Sequence, residues 1–343
     1  MKSKEHTFPF VAIVEQDEMK RALVLNIIDP GIGGALIRGE KGTAKSTAVR
    51  SLANILPDVE YVEGCRFRCD PARPERLCSD CKERIEEGEK LETGTSSIRV
   101  VELPLSATED RIAGTLDLEH VLQTGKKKFE PGVLAQANRN MLYVDEVNLL
   151  EDHIVDLLLD SAAMGINYVE REGVSFSHPS KFILVGSMNP EEGELRPQLL
   201  DRFGLCVDVV GDVYVTSRAE VVMRRLEYDA DPRAFIEKYR EETEELSEKI
   251  VSARDRLLDV KVSENMVKVA ANVAIHFEME GHRADITMIR AARANAAFEG
   301  KDEVDRDDFR IVAPMVLTHR VKKKPFEKTG LNREALRACL KEY

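Results

Sequence analysis

Short apolar runs alternate with stretches of helical periodicity over roughly the first 215 residues of the chain. The runs that predict buried strands are Ala35–Ile37, Val100–Leu103, Leu142–Val144 and Phe182–Val185. Each run is short and mostly apolar, interrupted only by Glu102 in the second, and is followed by polar residues, as is typical of parallel strands covered on both faces. After the first run, apolar positions recur at helical spacing from Ala48 to Ile55, and Pro57 ends that predicted helix. This region therefore predicts an α/β fold with a parallel sheet.

The pattern changes towards the end of this region. Residues 165–179 alternate in polarity around Glu172-Gly173, which predicts a β-hairpin with its turn at that dipeptide. From about Thr216 the periodicity is helical throughout. The clearest helical segments are Arg233–Arg256, Val262–Phe277 and Thr287–Phe298. The high charge of the first segment predicts one solvated amphipathic helix. We therefore expect two domains, at residues 1–215 and 216–343.

Composition narrows the classes of function. Hydrophobic residues make up 43% of the 343 residues, charged residues 33%, and the formal net charge is −12. So acidic a chain is poorly suited to nucleic acid, whose phosphates bind lysine and arginine, and we expect no nucleic-acid partner. No apolar run approaches the ~20 residues that span a bilayer, and the N-terminus lacks a secretory apolar segment. We expect a cytoplasmic protein without a membrane partner, whose cysteines are reduced thiols or metal ligands.

A glycine-rich turn follows the first predicted strand and precedes a helix. The residues of this predicted phosphate-binding loop and first helical turn are Gly39, Gly42, Thr43, Ala44, Lys45, Ser46 and Thr47. The backbone N–H groups of such a loop surround phosphate oxygens, and the charge of Lys45 adds to them. The Ser46 hydroxyl is suited to bind the Mg²⁺ ion of a nucleotide. Ala44 departs from the pattern, because glycine usually precedes the lysine.

Two further strands end in polar residues that suit nucleotide hydrolysis. Asp145 and Glu146 follow the strand at Leu142–Val144, where the first carboxylate can bind Mg²⁺ and the second can polarise water. Asn189 follows the next strand and can contact the γ-phosphate. An acidic pair can also simply begin a loop, and Asn189-Pro190 can be an ordinary turn. Behind a phosphate-binding loop, the acidic pair is more typical of a Walker B motif.

Long stretches of the chain resemble the ATPase subunit of magnesium chelatase, a member of the AAA+ class. The resemblance is carried by residues 104–111, 129–135, 145–160 and 189–204, and it extends from about Phe8 to Arg320. It implies a three-layer α/β/α ATPase domain with a parallel sheet, followed by an all-α lid domain. The expected insertions are a cysteine-rich segment at 64–82 and hairpins near 110–132 and 165–179.

The resemblance also implies roles for residues at the nucleotide. Lys45 and Ser46 bind ATP, with Mg²⁺ on Ser46 and Asp145. Asp145 and Glu146 form Walker B, and Asn189 matches sensor 1. The segment Val14–Gln16 resembles the one that lines the adenine pocket.

Two arginines take part in catalysis in this interpretation. Arg202 matches the arginine finger, which reaches the nucleotide of a neighbouring subunit and neutralises transition-state charge. The alternative is an ordinary ion pair with Asp201 or another surface acid. Arg283 matches the sensor 2 arginine of the lid, and Arg290 is close enough in sequence to be the alternative.

The assembly implied by the resemblance is a hexameric or heptameric ring with ATP at each subunit boundary. The ring drives a partner complex that inserts a metal ion into a tetrapyrrole. The expected partners are a middle chelatase subunit with a metal-adhesion domain and a large porphyrin-binding subunit. The Asp-x-Ser-x-Ser motif of that middle subunit is absent from this chain, so we expect it to be a separate protein.

Other functions stay open at the level of sequence. The same architecture serves cobalt or nickel chelatases and chaperone-type AAA+ ATPases that act on another enzyme. A nucleic-acid motor related to replicative helicases is favoured by Ala44 and the predicted hairpins. The net charge and the stretch Leu195–Gly204 count against that motor.

Four of the six cysteines lie in one short polar segment, as Cys65-x3-Cys69 and Cys78-x2-Cys81. Two close pairs separated by a short loop can bind Zn²⁺ or hold an iron–sulfur cluster. A redox switch or inert thiols are the alternatives. The resemblance implies no role for these residues.

Overall fold

The structure, a computed structural model, describes residues 7–116, 129–171, 174–211, 214–321 and 331–342. The turn predicted at Glu172-Gly173, and part of the hairpin predicted near 110–132, lie outside the described residues. Within those ranges, no helix has both the length and the apolar character needed to cross a membrane.

The described strands are short, and five of them form one parallel sheet. In chain order the strands are β1 (Ala35–Gly39), β2 (Val59–Val62), β3 (Thr93–Ser96), β4 (Val100–Glu102), β5 (Gly114–Leu116), β6 (Phe129–Pro131), β7 (Met141–Val144), β8 (Ile166–Arg171), β9 (Val174–Pro179), β10 (Ile183–Met188) and β11 (Leu205–Val209). The central sheet has the order β11-β1-β10-β7-β4, with Ile37 of β1 opposite Ser187 and Val207. Its four pairings are all parallel, so the predicted parallel sheet is confirmed.

Helices cover both faces of this sheet. In chain order they are α1 (Asp17–Ile28), α2 (Lys45–Ile55), α3 (Ser79–Glu86), α4 (Glu109–Ala113), α5 (Val133–Ala137), α6 (Asp152–Met164), α7 (Pro197–Leu200), α8 (Val215–Ala230), α9 (Pro232–Lys238), α10 (Arg240–Arg256), α11 (Glu264–His276), α12 (Arg283–Phe298), α13 (Arg306–Leu317) and α14 (Arg333–Glu342). Because successive strand residues point to opposite faces, Ile37 packs in the buried cluster of α1 and α2, whereas Leu36 packs with α6. The result is the expected three-layer arrangement.

Strand β11 was not predicted from the sequence. It carries a charged residue, Asp208, which interrupts its apolar pattern. The structure pairs Asp208 with Arg38 of β1 at 2.7 Å, so the charge lies beside a neutralising partner at the rim of the sheet. The strand therefore joins β1 at its full length despite the interruption.

Among the described residues, three antiparallel strand pairs are separate from the central sheet: β2–β3 and the hairpins β5–β6 and β8–β9. The third one confirms the hairpin predicted at residues 165–179, with Ile166 opposite Pro179. Aromatic side chains join the last two hairpins, because the rings of Phe129 and Phe176 stack at 4.3 Å between centroids.

The helical region corrects one prediction. Residues 233–256 were expected to form a single helix, but α9 ends at Lys238 and α10 begins at Arg240, with Tyr239 outside the helical conformation. The reason is packing, because the two segments contact different parts of the fold. Helix α9 packs against α8, where Phe235 joins an aromatic cluster with Phe8 and Tyr228, whereas α10 packs against α1, α2 and α12.

Helices α12 and α13 pack against the α1 side of the sheet. Met288 and Val316 lie in the same buried cluster as Leu23 of α1 and Ile37 of β1. Arg21 pairs with Glu299 at 2.6 Å across this contact. The helical region thus shares its apolar core with the sheet.

Candidate active site

Three adjacent strands of the sheet end at one edge, and each delivers predicted site residues there. The phosphate-binding loop follows β1, Asp145 and Glu146 follow β7, and Asn189 follows β10. Since β10 lies between β1 and β7, these groups surround one cleft of about 620 Å³. The residues of the loop and first turn that line it are Lys41, Gly42, Thr43, Ala44, Lys45, Ser46 and Thr47. Such a volume suits a nucleotide-sized ligand.

The loop conformation depends on left-handed backbone angles. Gly42 has a φ of 84° and Ala44 a φ of 60°, and α2 begins directly after Ala44. The position taken by glycine in the usual pattern therefore does adopt the conformation that glycine favours, here with a methyl group. Gly39 is required for a different reason, because a Cβ atom there would lie 2.2 Å from the Val209 carbonyl oxygen.

The Lys45 ammonium turns back onto its own loop. Its Nζ atom donates to the carbonyl oxygens of Gly39 at 2.6 Å and Glu40 at 2.7 Å. Burial lowers the pKa of Lys45, although Asp145 and Glu146 oppose this shift. To bind an anion in the cleft, the Lys45 ammonium must exchange these two carbonyl contacts for contacts with the anion.

The carboxylate of Asp145 is fixed by two hydroxyl donors. Tyr143 Oη donates to Asp145 Oδ1 at 2.8 Å, and Ser187 Oγ of the adjacent strand donates to the same oxygen. Burial raises the pKa of Tyr143, which keeps its hydroxyl protonated and able to donate. The orientation of Asp145 is thus determined by β7 and β10 together.

Glu146 lies at the exit of β7 in a left-handed conformation, with a φ of 53°. Its backbone N–H donates to Ser187 Oγ at 3.1 Å. Lys41 of the phosphate-binding loop approaches the Glu146 carboxylate at 3.4 Å and Glu192 at 2.7 Å. Hydrogen bonds with Glu192 and Glu146 raise the pKa of Lys41. Neither Lys41 nor Glu192 was predicted as a site residue.

Asn189 is buried at the end of β10 and also lines the cleft. Its side-chain oxygen accepts a hydrogen bond from the Glu191 backbone N–H at 3.2 Å. That contact begins the short helical turn Pro190–Glu192, so the predicted Asn-Pro turn is present as well. The asparagine therefore has both the position for phosphate contact and a local structural task.

The opposite wall of the cleft is more apolar. Phe8, Ile13 and Val14 line it, together with Gln16. Sequence reasoning missed the contribution of α8, which adds three arginines and two valines to the lining: Arg218, Val221, Val222, Arg224 and Arg225. Guanidinium groups are well suited to phosphate, and their clustering on the first helix after β11 was the available signal.

Arg202 does not line the cleft of its own chain. It precedes β11, at the sheet edge opposite the phosphate-binding loop, and its guanidinium pairs with Asp156 and Asp160 of α6. The ion pair that the sequence left open as the alternative for this arginine is therefore present, with Asp156 and Asp160 of the same chain as its partners.

The two candidates for sensor 2 also lie away from the cleft. Arg283 pairs with Asp201 at 2.6 Å, beside Arg202, and Arg290 donates to the Gly31 carbonyl before β1. Neither Arg283 nor Arg290 is among the residues that line the cleft. Of the two, Arg283 shares the surface of Arg202.

The four clustered cysteines converge in space. The Sγ atoms of Cys65, Cys69, Cys78 and Cys81 all lie within 4.8 Å of one another. Cys65 is half-buried and the other three are buried. The thiols of Cys69 and Cys78 hydrogen-bond to Cys65 and lower its pKa.

The sheet order, the phosphate-binding loop and the acidic residues beside it define the class: the chain is a P-loop ATPase of the AAA+ type. The family model "AAA lid domain" matches residues 268–338, and the model "Magnesium chelatase, subunit ChlI" matches residues 118–209. A magnesium-chelatase subunit ChlI homolog of Methanocaldococcus jannaschii is 53% identical over 339 residues, or 99% of this chain and 92% of that protein. The Synechocystis subunit ChlI is 49% identical and covers 95% and 91% of the two chains. The chain belongs to the magnesium-chelatase subunit ChlI family.

Two solved structures extend the comparison. The structure described as the complex between subunits BchI and BchD of magnesium chelatase contains a chain 48% identical to this one, with a TM-score of 0.55 over 93% of this chain and 97% of that one. A putative ATPase from Cytophaga hutchinsonii has a TM-score of 0.62 at 18% identity, covering 97% and 92% of the two chains. The second likeness concerns the fold alone.

Proposed function

We propose that this chain binds MgATP in the cleft and hydrolyses it to drive a chelatase complex. The observation that carries the proposal is the meeting of Lys45, Glu146 and Asn189 at the ends of three adjacent strands. Lys45 exchanges the carbonyl oxygens of Gly39 and Glu40 for phosphate oxygens when ATP enters. The N–H groups of the loop and the first turn of α2 bind the remaining phosphate oxygens.

The oxygen ligands in the cleft suit Mg²⁺. The Ser46 hydroxyl and the Asp145 carboxylate line the same space, and such hard oxygen ligands are those that Mg²⁺ prefers. When bound with ATP, the ion would neutralise phosphate charge. Tyr143 and Ser187 hold Asp145 in place for this task.

Glu146 serves as the group that polarises the attacking water. Its approach to Lys41 ties it to the phosphate-binding loop, so nucleotide in that loop alters the surroundings of the carboxylate. Asn189 orients the water or the γ-phosphate from the adjacent strand. The apolar wall with Val14 and Gln16 receives the base.

Arg202 and Arg283 serve the nucleotide of a neighbouring copy. Both lie at the sheet edge opposite their own cleft, and Asp201 places Arg283 next to Arg202. In a closed ring this surface faces the next cleft. The guanidinium of Arg202 then leaves Asp156 and Asp160 to neutralise transition-state charge.

The same copies form a hexameric or heptameric ring, which acts through partner subunits to insert a metal ion into a tetrapyrrole. The partners are a middle subunit with a metal-adhesion domain and a large porphyrin-binding subunit. The family of this chain and the BchI–BchD complex support this proposal. Residues 1–215 form the ATPase domain and residues 216–343 the lid that responds to ATP.

The four cysteines of segment 64–82 form a metal site, for Zn²⁺ or an iron–sulfur cluster. Their convergence supports this proposal. The metal of this site is a permanent structural part of the chain. It is distinct from the metal that the chelatase complex inserts into the tetrapyrrole.

Substitution of the Walker B glutamate tests the ATPase proposal. Glu146→Gln removes the carboxylate that polarises water but keeps the size of the side chain. We expect ATP binding to persist while hydrolysis falls by at least about 10²-fold, a typical contribution of a general base. Binding is measured by calorimetry and turnover by phosphate release.

Glu151→Gln is the matched control, because Glu151 is an exposed carboxylate a few residues further along, paired with His153. It should hydrolyse ATP like the unmodified chain. Unchanged hydrolysis by the Glu146→Gln variant would show that the Walker B assignment is wrong.

A further inference from the structure

The distances among the four cysteines discriminate between the two kinds of metal centre. Zn²⁺ binds thiolate sulfur at about 2.3 Å, so a tetrahedral ion places its sulfur ligands about 3.8 Å apart. Cys65 Sγ and Cys78 Sγ are 3.8 Å apart, and the largest separation in the group does not exceed 4.8 Å. We propose that Cys65, Cys69, Cys78 and Cys81 bind a single Zn²⁺ ion, an inference that deepens the metal site proposed above.

An iron–sulfur cluster fits this arrangement less well. In a two-iron or four-iron cluster the thiolates bind different iron atoms, so the sulfur atoms across the cluster are further apart than the edges of one tetrahedron. The described cysteines leave no room for that separation, since every pair is within 4.8 Å. The space enclosed by the four sulfur atoms is the size of one ion.

The backbone around the cysteines also supports a bound cation with thiolate ligands. The Phe67 N–H lies 3.4 Å from Cys65 Sγ, and the Cys78 N–H lies 3.2 Å from Cys69 Sγ. Such N–H donors stabilise the negative charge of metal-bound sulfur. Four protein ligands, three of them buried, make a closed site, which is typical of structural rather than catalytic zinc.

The place of the site in the fold indicates what the ion stabilises. Cys69, Cys78 and Cys81 lie in one buried cluster with Phe129 of β6 and Val169 of β8. Within the cysteine segment, Phe67 stacks on His178 of β9 at 4.8 Å with an interplanar angle of 13°. The zinc site therefore holds the loop on which the hairpins β5–β6 and β8–β9 pack.

Hydrogen bonds fix the same loop to the rest of the α/β region. Asn138 Nδ2 donates to the Phe67 carbonyl at 2.6 Å, and Arg66 donates to the Phe129 carbonyl at 2.7 Å. The segment between Cys65 and Cys78 has little regular secondary structure, so it depends on these contacts and on the metal for its shape. Loss of the ion is expected to loosen both hairpins together.

Metal analysis of the full chain, purified in reducing buffer without added metal, tests the identity of the ion. We expect about one zinc ion per chain, a colourless protein and no acid-labile sulfide, as for other Cys₄ zinc sites. Replacement by Co²⁺ should give the visible absorption of tetrahedral thiolate coordination. Iron with labile sulfide would overturn the zinc assignment but keep a metal site, and a metal-free protein would overturn both. ATP binding measured on the same samples reports on the ATPase proposal separately.

Cysteine variants test the ligands. Cys69→Ser and Cys81→Ser should each retain less than a tenth of the zinc content, whereas Cys206→Ser should retain all of it, because Cys206 lies in β11, outside the group. Equal zinc content in all three variants would overturn the assignment.

Hydrogen exchange tests whether the zinc site supports the hairpins β5–β6 and β8–β9. It uses the unmodified chain, so the result does not depend on whether a cysteine variant folds. Removing zinc with a chelator should raise exchange in the cysteine segment and also in β5–β6 and β8–β9, but not in α2. If exchange rose in the cysteine segment alone, the proposed support of the hairpins would be wrong.

Discussion

Ala44 carries a methyl group in a backbone conformation that favours glycine. Its φ of 60° precedes α2 directly, and the usual phosphate-binding pattern has glycine in this place. The left-handed conformation destabilises an L-residue by about 1–2 kcal/mol, although alanine also reduces the freedom of the unfolded chain. The loop keeps its shape because Lys45 and Thr43 donate hydrogen bonds to the Glu40 carbonyl beside it.

Ala44→Gly is therefore expected to stabilise the fold slightly. The gain in free energy of unfolding should be about 0.5–1 kcal/mol, the relieved strain less the entropy of glycine. Chemical denaturation followed by circular dichroism measures it. Ala48→Gly is the matched control, since Ala48 is fully buried within α2, and it should destabilise by about 1 kcal/mol or more. A destabilised Ala44→Gly variant would contradict the strain argument.

Asp145 shows that a site residue is fixed by more than its own strand. The sequence predicted its carboxylate at the end of β7, but the two hydroxyl groups that orient it could not be assigned without the sheet order. Ser187 lies 42 residues further along and reaches Asp145 only because β10 pairs with β7. Lys41 and Glu192 meet Glu146 for the same reason.

At the scale of elements, the contact between α13 and β11 rests on a buried histidine. His319 follows α13, and its Nε2 atom donates to the Phe203 carbonyl at 3.0 Å, just before β11. Its other ring nitrogen is buried, and no described residue forms a hydrogen bond with it. Burial, with the charges of Arg320 and Arg38, lowers the pKa of His319 well below its ordinary value.

This histidine predicts an acid-side loss of stability. The unfolded chain protonates His319 near its ordinary pKa, whereas the folded chain keeps it neutral, so protons bind preferentially to the unfolded state. Below about pH 6.5, stability should fall by up to about 1.4 kcal/mol per pH unit for this group. His178, whose pKa burial also lowers, adds to the slope.

His319→Gln, which can still donate to Phe203, should reduce that slope by about one proton. The measurement is the free energy of unfolding at several pH values between 5 and 7.5. Identical slopes for the His319→Gln variant and the unmodified chain would contradict the prediction.

Element prediction from the sequence succeeded where the local pattern was strong. The predicted runs that became β1, β7 and β10 are apolar over their whole length, as is typical of buried parallel strands, and the run of β4 is interrupted only by Glu102. Strand β11 was not predicted because Asp208 interrupts its apolar pattern. The break at Tyr239 was not predicted because it depends on the different elements against which α9 and α10 pack. Both misses arise from tertiary contacts.

At the scale of the whole molecule, the proposed nucleotide site and the two proposed catalytic arginines lie at opposite ends of the sheet. The cleft lies at the carboxyl ends of β1, β7 and β10, and Arg202 and Arg283 lie near the opposite edge. The proposed ring joins these two surfaces between copies. Each site of ATP hydrolysis would then be formed by residues of two neighbouring chains.

Mixing two inactive variants tests whether each active site is shared between two chains. Arg202→Ala retains the cleft and Lys45→Ala retains the arginine, so each alone should lose ATPase activity, by about 10³-fold for a missing arginine finger. A mixture should regain part of it, because some boundaries combine an intact cleft with an intact arginine. Phosphate release over a range of mixing ratios measures the recovery.

The control for this experiment is Arg310→Ala, which removes an exposed ion pair with Asp307 and should stay active without mixing. If Arg202→Ala were fully active alone, or if no mixture regained activity, the proposal of an active site shared between two chains would be wrong.

The sequence alone determined the chemistry that is local in the chain. The phosphate-binding loop, the acidic pair at 145–146 and the family resemblance needed no tertiary information, because their residues are contiguous and each strand ends beside its own polar groups. The family was confirmed, and the sheet that carries these groups was confirmed with it.

The tertiary structure decided what depends on distance across the fold. It placed Arg202 against Asp156 and Asp160, put Arg283 beside it, added the arginines of α8 to the cleft and brought four sulfur atoms within 4.8 Å. The spacing of the cysteines already indicated a shared site. The contacts of the arginines do not follow from spacing, since each joins separate elements whose relative positions are set by packing of the buried core. The direction of a long charged side chain depends on which charged partners the folded chain places within its reach.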